Sequence, residues 1–410
     1  MQVVYLIYDS LMNSVFDSQV LTFLEFLLRQ RRQVQLISFE RRTNTMDLER
    51  KRAIVADRLG RDVLLIERPP FVGRGFLRSL ARRLAEALKA AFEVTEPLIL
   101  HSRGQIAAYI AIKAKCFLPH RNVKVLADIR GVPEEILCLT NPWRWFLDQI
   151  RYREAKRIER EVYVLTDGLC CVSEALKNWI VSKFNVHHDR IPVVHCAVNN
   201  TLFRFDKGTR ERIRRELGLT NELVFVFSGS LTPWQAPERV LRFFAMVKSI
   251  HPKSHFLILT KDTVVAERLL RKYAKHETSV TYLSVDYSRV PDYLMAADIG
   301  LLLREDTLVN KVAFPTKYAE YLSCGLYVLT TKAIADIAAY TIAEPVTGYV
   351  FQQFPKLDNV ELRELMMRLH TEGVLTDASR QARSAIAAKL FGAETIFSKY
   401  LEIYDGLAKI

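Results

Sequence analysis

A lysine and a glutamate about one helical turn apart are the residues of this 410-residue chain whose types and spacing most clearly suggest chemistry. They stand in the segment Pro315–Gly325 (PTKYAEYLSCG), which predicts a short helix because proline favours the first turn and glycine ends it. The N-terminus of such a helix offers free amides and a positive dipole end, which suit a diphosphate. Lys317 adds a cation in the first turn, and Glu320 can accept hydrogen bonds from ribose hydroxyls. The alternative is a surface helix whose lysine and glutamate simply face water.

Polar residues also follow two predicted strands in the first half of the chain. His101 ends one strand, and Asp128 and Arg130 come just after the next, Val123–Ala127. Arg130 could bind an anionic group through two hydrogen bonds, and Asp128 could accept a hydroxyl proton. We therefore take His101, Asp128 and Arg130 as candidate catalytic residues. The alternatives are a structural Asp128–Arg130 pair and a histidine packed at a strand end.

An amphipathic basic helix is predicted over Gly73–Lys89. Its apolar side chains recur at helical spacing and form one face, whereas the arginines lie largely off that face. The apolar residues are Leu77, Leu80, Ala81, Leu84 and Leu88, and the arginines are Arg74, Arg78 and Arg82. Such a helix could contact an anionic membrane surface. The alternative is a covering helix with a solvated basic face. Nucleic acid is not an expected partner, because the cations are spread out and no nucleic-acid motif is present.

The elements that position these residues follow an alternating strand–helix pattern, which starts at Val3–Tyr8 and restarts at Leu223–Phe227. Continuous apolar runs separated by helical patterns indicate parallel strands that are covered on both faces. The sequence therefore predicts an α/β fold of two Rossmann-like doubly wound domains, residues 1–203 and 204–390, facing a central cleft. The end of the chain is helical, and we expect the last helix, residues 391–410, to pack back towards the N-terminal domain.

The composition is that of a globular protein with a basic bias. The formal charge is +13, of which residues 1–203 contribute +9, from 31 Lys and Arg against 22 Asp and Glu. No apolar run approaches the roughly 18 residues of a membrane span, and the first residues predict a strand rather than a signal peptide. The six cysteines show neither a C-x-x-C pair nor zinc-ligand spacing. Reduced thiols in a cytoplasmic protein without a structural metal are therefore expected.

The segment Pro315–Gly325 resembles the P-T-K-x-x-E-Y-L-x-x-G signature of many GT-B glycosyltransferases close to family 4. Further segments resemble runs of the same family and occur in its order along the chain. They are Val172–Leu176, Ile191–Phe203, Ser228–Gln235 and Tyr293–Leu301. Asp128–Glu135 is similar to a D-x-R-G-x-x-x-E segment of a bacterial subset. On these matches the chain is identified as a member of the GT-B glycosyltransferases.

The resemblance implies that the C-terminal domain binds a nucleotide-sugar donor and that the N-terminal domain binds the acceptor. Glu320 would contact the ribose, and the loop after the first C-terminal strand would approach the diphosphate. The donor-binding residues expected on this basis are Gly229, Ser230, Lys261, Pro315, Thr316, Lys317 and Glu320. The family's chemistry would retain the anomeric configuration without a metal or other cofactor, because cations and the helix dipole neutralise the leaving diphosphate.

The chain departs from the family pattern in two places. Many relatives carry a second glutamate eight positions before the first, where Val312 stands here. Many also place Arg or Lys in the first loop of the C-terminal domain, where this chain has Ser230 and Gln235. Arg304, Lys311, Lys317 or Lys261 could take over the second role.

The resemblance thus implies a retaining glycosyltransferase that moves a sugar from a nucleotide-diphosphate sugar to a saccharide or lipid-linked acceptor. Its expected role is cell-surface polysaccharide or glycolipid synthesis in the cytoplasm, with a peripheral contact on the inner face of the cell membrane. The alternatives are a catalytically silent GT-B subunit, motivated by Val312, Ser230 and Gln235, and a nucleotide-sugar epimerase on the same fold.

Overall fold

Two units, each built around one parallel β-sheet, make up the chain. Met1–His195 and Ala393–Ile410 together form the first unit, and Cys196–Gly392 forms the second. This computed structural model describes residues 2–41, 45–69, 73–92, 97–118, 122–140, 142–273, 278–355 and 360–409.

Six parallel strands form the sheet of the first unit. They are β1 (Gln2–Ile7), β2 (Gln33–Arg41), β3 (Leu64–Arg68), β4 (Leu98–Arg103), β5 (Val123–Ile129) and β6 (Gly168–Cys171). Their order is β3-β2-β1-β4-β5-β6, so the direction of winding reverses between β1 and β4, where Ile7 is paired with Arg103. Almost every residue of β1 and β4 is buried, because helices cover both faces of the sheet.

The helices of the first unit lie in two layers. They are α1 (Thr22–Arg29), α2 (Thr45–Leu59), α3 (Arg74–Ala91), α4 (Gln105–Lys115), α5 (Glu135–Cys138), α6 (Trp145–Leu165) and α7 (Glu174–Phe184). A π-helical turn, Phe16–Leu21, leads into α1. Right-handed crossovers place α3, α4 and α6 on one face of the sheet, where α4 packs between the other two. The helices α1 and α2 pack against each other on the opposite face.

The sheet of the second unit repeats this topology. Its strands are β7 (Leu223–Ser228), β8 (Ser254–Leu259), β9 (Val280–Leu283), β10 (Ile299–Leu302), β11 (Tyr327–Thr331) and β12 (Gly348–Phe351). They lie in the order β12-β11-β10-β7-β8-β9 and are all parallel. Phe225, Phe227, Phe243, Phe244 and Phe256 belong to the apolar cluster that packs one face of this sheet. The two doubly wound sheets confirm the α/β fold class expected from the alternating pattern.

The remaining helices surround the second sheet, except for the last. They are α8 (Lys207–Glu216), α9 (Pro237–Ile250), α10 (Thr263–Tyr273), α11 (Val290–Ala296), α12 (Leu308–Lys311), α13 (Thr316–Ser323), α14 (Ala335–Ala343), α15 (Val360–Thr371), α16 (Asp377–Phe391) and α17 (Ala393–Ala408). Helix α17 belongs to the first unit and packs on α1, where the rings of Phe397 and Phe23 lie 4.9 Å apart.

A buried carboxylate ties together several elements of the second unit. Asp298, at the start of β10, is 4% exposed. It accepts hydrogen bonds from the guanidinium groups of Arg210 at 2.6 Å, Arg214 at 3.5 Å and Arg380, and from the Val224 amide at 2.8 Å. Burial alone would raise the pKa of Asp298, but Arg210 and Arg380 hold it below its ordinary value. This cluster fixes α8 and α16 to the sheet.

Candidate functional site

The candidate anion site of the second unit lies where its strand order reverses. The strands β7 and β10 are parallel neighbours, with Phe225 paired to Ile299. The loops after Ser228 and Leu302 therefore leave the same edge of the sheet. In open α/β sheets, the crevice beyond the carboxyl ends of the strands at this point is where ligands bind.

Gly229 brings the loop after β7 against helix α13. Its φ angle of 114° lies in the region that favours glycine. A Cβ atom there would stand 2.7 Å from Cε of Lys317, so a larger residue would displace the lysine. The neighbouring Ser228 donates its amide to the hydroxyl of Tyr321 at 2.8 Å. The strand end, the loop and the first turns of α13 thus form one rigid corner.

Gln235 connects the two cationic side chains of this corner through hydrogen bonds. Its side-chain oxygen accepts hydrogen bonds from Nζ of Lys317 and from Nη2 of Arg304, the latter at 3.0 Å. Its side-chain nitrogen donates to the Ser230 hydroxyl at 2.9 Å. Two positively charged side chains therefore converge on one neutral oxygen at the sheet edge.

The charges of this pair are poorly compensated. Burial lowers the pKa of Arg304 to about 10. Burial, with the nearby Arg304 charge, lowers the pKa of Lys317 well below its ordinary value. Neither forms an ion pair with a carboxylate in the described part of the chain, and Nη1 of Arg304 is buried without a hydrogen-bond partner there. A bound anion would supply what both side chains lack.

Glu320 lies one turn further along α13. It is 8% exposed, and burial raises its pKa to about 7 against the opposing charge of Lys317. Its carboxylate makes no hydrogen bond or ion pair with any residue that the structure describes. A carboxylate in this state can accept hydrogen bonds from ligand hydroxyls, which is the role expected for it. Thr316 opens α13, and Pro315 stands at the N-cap, one residue before the first turn in which the sequence predicts it.

Two other lysines that could have joined the site do not. Lys261 and Lys311 are exposed, and neither side chain bonds to another residue within the described ranges. Val312, at the position of the family's second glutamate, is a buried apolar residue. Of the four cations considered as replacements, the structure brings Arg304 and Lys317 together and leaves Lys261 and Lys311 outside their hydrogen-bond network.

The candidate catalytic residues of the first unit form a buried network with helix α17. Asp128 accepts hydrogen bonds from Nε of Arg130 at 2.9 Å, the hydroxyl of Tyr400 at 3.0 Å and Nε2 of His101 at 3.4 Å. The His101 Nδ1 and the Tyr404 hydroxyl are 2.6 Å apart. Burial lowers the pKa of His101, which keeps it neutral. Since a carboxylate only accepts, neutral His101 donates to Asp128 and accepts from Tyr404.

This network argues for a positioning role rather than direct contact with a substrate. His101 and Asp128 are 0% exposed. Burial would raise the pKa of Asp128, but Arg130 and His101 hold it well below its usual range, so it stays ionised. The arrangement matches the alternative of a structural Asp128–Arg130 pair. Arg130, with 15% of its side chain exposed, is the member that can reach a ligand.

We expect Tyr404→Phe to lower the free energy of unfolding of the first unit by about 1–3 kcal/mol, because it leaves a buried imidazole nitrogen unpaired. Urea denaturation followed by hydrogen–deuterium exchange in β4 and β5 would measure the change. Tyr282→Phe is the matched control, since the Tyr282 side chain is 37% exposed and its hydroxyl has no partner among the described residues. Equal stabilities of the two variants would contradict the role given to Tyr404.

Two further polar groups of the first unit lie beside the strand reversal. The hydroxyl of Tyr8, just after β1, and Nη1 of Arg103, at the end of β4, are both buried without a hydrogen-bond partner in the described part of the chain. Buried polar atoms without partners are uncommon and point to a missing ligand or water. Sequence reasoning missed Tyr8, because a tyrosine at a strand end is usually an ordinary core residue.

The basic helix α3 covers the sheet with its apolar face. Leu77, Leu80, Ala81, Leu84 and Leu88 are buried. Arg74 donates to Glu154 at 2.7 Å, Arg82 stacks over Phe117 at 5.5 Å, and Arg78 is exposed. Because the apolar face packs into the core, α3 can offer a membrane its exposed cations and, near its start, the half-exposed Phe76. This is the covering-helix alternative.

Other expectations concern metals, thiols and membranes. Among the described residues, no group of three or more His, Cys, Asp or Glu side chains is placed to hold a metal ion. All six cysteines are free. No described helix combines the length and apolar character that crossing a bilayer requires. The expectation that no metal or cofactor is needed stays a prediction.

Comparison with known families assigns both halves of the chain. A family described as Glycosyltransferase Family 4 matches residues 18–202, and one described as Glycosyl transferases group 1 matches residues 209–379. A putative teichuronic acid biosynthesis glycosyltransferase of Bacillus subtilis, TuaH, is 23% identical over 186 residues. That match covers 45% of this chain and 45% of TuaH, so it spans about half the length of that relative.

Solved structures resemble the chain over nearly its whole length. HepE of Anabaena, in complex with UDP-glucose, has a TM-score of 0.72 at 14% identity and covers 99% of this chain and 100% of its own. WaaG, a glycosyltransferase involved in lipopolysaccharide biosynthesis, has a TM-score of 0.63 at 15% identity, covering 98% and 99%. A glycosyltransferase from Rickettsia africae has a TM-score of 0.68 at 15% identity, covering 100% and 98%. At these identities the likeness shows the fold.

Proposed function

We propose, from the premise that this chain belongs to the GT-B glycosyltransferases similar to family 4, that it transfers a sugar from a nucleotide-diphosphate donor to a saccharide or lipid-linked acceptor. The donor would bind in the second unit and the acceptor in the first. The process served would be the synthesis of a cell-surface polysaccharide or glycolipid, in line with the name of TuaH.

The observation that carries the proposal is the convergence of Arg304 and Lys317 on Gln235 beside the strand reversal. Two buried cations without a carboxylate partner favour a ligand with two adjacent negative charges. The unpaired Glu320 carboxylate on the same helix favours a ligand that also carries hydroxyls. A nucleoside diphosphate combines a diphosphate with a ribose, and therefore matches both features.

In the proposed reaction, the bond between the anomeric carbon and the β-phosphate oxygen breaks as the acceptor oxygen bonds to that carbon. The configuration is retained, and the leaving diphosphate takes the acceptor proton. Arg304, Lys317 and the N-terminus of α13 stabilise the charge that develops on the leaving oxygen. This electrostatic role is the one that a metal ion fills in other enzymes, so we propose that the transfer needs no bound metal.

The acceptor side is proposed at the strand reversal of the first unit. The unpartnered Tyr8 hydroxyl and Arg103 Nη1 would bind acceptor hydroxyls or an anionic group. Arg130 would be held in place by Asp128, His101 and Tyr400. We further propose that the protein acts on the cytoplasmic side of the cell membrane and contacts it peripherally, and that it does not bind nucleic acid.

We expect calorimetric titration to show micromolar binding of UDP or GDP and at least tenfold weaker binding by Glu320→Ala. Loss of a hydrogen bond between a carboxylate and ribose accounts for a tenfold change, which is about 1.4 kcal/mol. UDP is the first nucleotide to test, because the HepE structure holds UDP-glucose. The matched control is Glu344→Ala, since Glu344 is exposed on the same unit.

Equal affinities of Glu320→Ala and the wild type would contradict the ribose contact. Absence of binding by both nucleotides would favour the second candidate, a catalytically silent subunit. The buried Val312 in place of the family's second glutamate is the observation that supports that alternative. Release of a nucleoside diphosphate from any nucleotide sugar would exclude it.

A further inference from the structure

Large apolar side chains are concentrated on one exposed segment of the first unit. Between α5 and the second turn of α6, six such side chains are each at least half exposed. They are Leu139, Trp143, Trp145, Phe146, Leu147 and Ile150, with Trp143 at 96% and Phe146 at 69%. The other exposed large apolar residues of the described chain are scattered singly or in pairs. A contiguous exposed apolar patch marks a contact surface.

The start of α6 is tied to a neighbouring residue by a buried carboxylate. Asp148 is 5% exposed and accepts hydrogen bonds from the Thr140 hydroxyl at 2.6 Å and from Arg151 at 3.0 Å. The amide of Asp148 donates to the Arg144 carbonyl at 2.9 Å. The buried carboxylate thus connects Thr140 to the first two turns of α6. The exposed aromatic residues Trp145 and Phe146 lie on the helix that this carboxylate helps to anchor.

A row of cations continues the patch along α6. Phe146, Ile150, Arg153, Arg157 and Arg160 recur at spacings of three and four residues, and all five are exposed. At about 1.5 Å per residue the row is roughly 21 Å long. Arg157 lies 3.5 Å from Glu154, whereas Arg153 and Arg160 have no ion pair among the described residues. One side of α6 therefore runs from apolar to positively charged.

The neighbouring helix α3 extends the positive charge. Arg74 donates to Glu154 at 2.7 Å and lies 3.7 Å from Glu161, so the side chain at the start of α3 reaches α6 across the layer in which α4 lies between the two helices. Arg78 and Arg82 follow at helical spacing on the exposed side of α3. The carboxylates of α6 that lie between these helices form ion pairs within the protein. The exposed side chains of this region therefore carry a net positive charge.

We propose that this region, the α6 surface (Leu139, Trp143 to Ile150, and Arg153, Arg157 and Arg160), binds the headgroup layer of a bilayer that contains anionic lipid. Indole and phenyl rings on an amphipathic element favour the boundary between headgroups and acyl chains. The arginine row complements the negative charge of anionic lipid. This inference names the surface for the membrane contact proposed above, and its test does not depend on sugar transfer.

A second copy of the chain fits the α6 surface less well. A two-fold contact uses the same patch on both copies, so a residue close to the axis faces its own counterpart in the other copy. A two-fold contact centred on the arginine row would bring Arg153, Arg157 and Arg160 of the two copies close together without compensating carboxylates. Like charges placed opposite each other at an interface oppose association. An anionic bilayer removes this conflict.

The test is vesicle flotation of the full chain with phosphatidylcholine alone and with an equimolar mixture of phosphatidylcholine and phosphatidylglycerol. We expect the wild type to float with the mixed vesicles and to show tryptophan emission shifted to shorter wavelength. The double variant Trp143→Ser/Phe146→Ser should bind at least tenfold more weakly. The variant Arg153→Ser/Arg160→Ser should lose the preference for the anionic vesicles.

The matched control is Val264→Ser/Met367→Ser, which removes two apolar side chains that are 79% and 62% exposed on the second unit. It should float like the wild type. Failure of the wild type to bind mixed vesicles, or equal flotation of Trp143→Ser/Phe146→Ser, would overturn the proposal. A dimer in light scattering that the same variant converts to monomer would assign the surface to a second copy instead. Nucleotide titration of each variant separates this result from the fate of the donor site.

Discussion

Replacing Lys317 with methionine is expected to lower kcat/KM for donor cleavage by about 100- to 1,000-fold, the usual effect of removing one group that stabilises developing negative charge. The assay is release of nucleoside diphosphate by the wild type from a panel of UDP- and GDP-sugars, repeated with the variant on the donor that is cleaved. The same substitution should leave thermal stability unchanged or higher. Burial already disfavours the charged form of Lys317, so an apolar side chain of similar length suits the folded, unliganded protein better.

The control for this variant is Lys253→Met. Lys253 is exposed and precedes β8, at the opposite edge of the sheet from the site. Its replacement should leave kcat/KM within about twofold, since surface substitutions away from a site have small effects. Comparable activity of Lys317→Met and Lys253→Met would refute the role of Lys317. A large drop in the melting temperature of Lys317→Met would show that its cation serves the fold instead.

Asp298→Asn is expected to destabilise the second unit by about 3–5 kcal/mol, because it leaves buried arginines without their counter-charge. Arg214 and Arg380 are 9% and 1% exposed, so water cannot readily take the place of the carboxylate. For a unit of this size the loss corresponds to a melting temperature lower by about 6–20 °C. Differential scanning calorimetry would measure it, and hydrogen exchange would place the loss in β7, β10, α8 and α16.

A surface ion pair provides the comparison for Asp298. Glu216 lies 2.8 Å from Arg212, and both side chains are nearly half exposed. Glu216→Gln should change stability by no more than about 1 kcal/mol, as exposed pairs do. If Asp298→Asn were no more harmful than Glu216→Gln, the arginine cluster would not be what holds α8 and α16 in place.

The sequence predicts the strands and helices whose side chains follow one simple pattern of burial. Fully buried strands such as Leu223–Ser228 read as continuous apolar runs, and covering helices show one apolar face. Two strands, Gly168–Cys171 and Gly348–Phe351, were missed, because each combines a length of only four residues with a first residue, glycine, that strands disfavour. Helix α6 was also missed, because its outward Phe146 and Ile150 add a second apolar side that hides the helical period. The exposed Phe146 and Ile150 thus hide the helical period in the sequence, and they also suggest the membrane contact proposed for this helix.

The site was predictable where the chemistry is local. Pro315, Lys317 and Glu320 belong to one short helix whose start and end are marked by residue type. The role of Gln235 could not be predicted from the sequence. It depends on a tight turn that ends at Ala236, where φ is 49°, and that brings the side-chain amide of Gln235 to Arg304. Tyr404 meets His101 across 303 positions of sequence, and no local pattern carries such a contact.

Helix α17 completes the first unit although it follows the whole second unit along the chain. On the ribosome, His101 and Asp128 are therefore made long before Tyr404 and Tyr400. At about 5–20 residues per second, synthesis of Cys196–Gly392 takes roughly 10–40 s. During that interval the carboxylate and the imidazole of the nascent first unit lack their tyrosine partners. The unit that is translated first is thus the last to be completed.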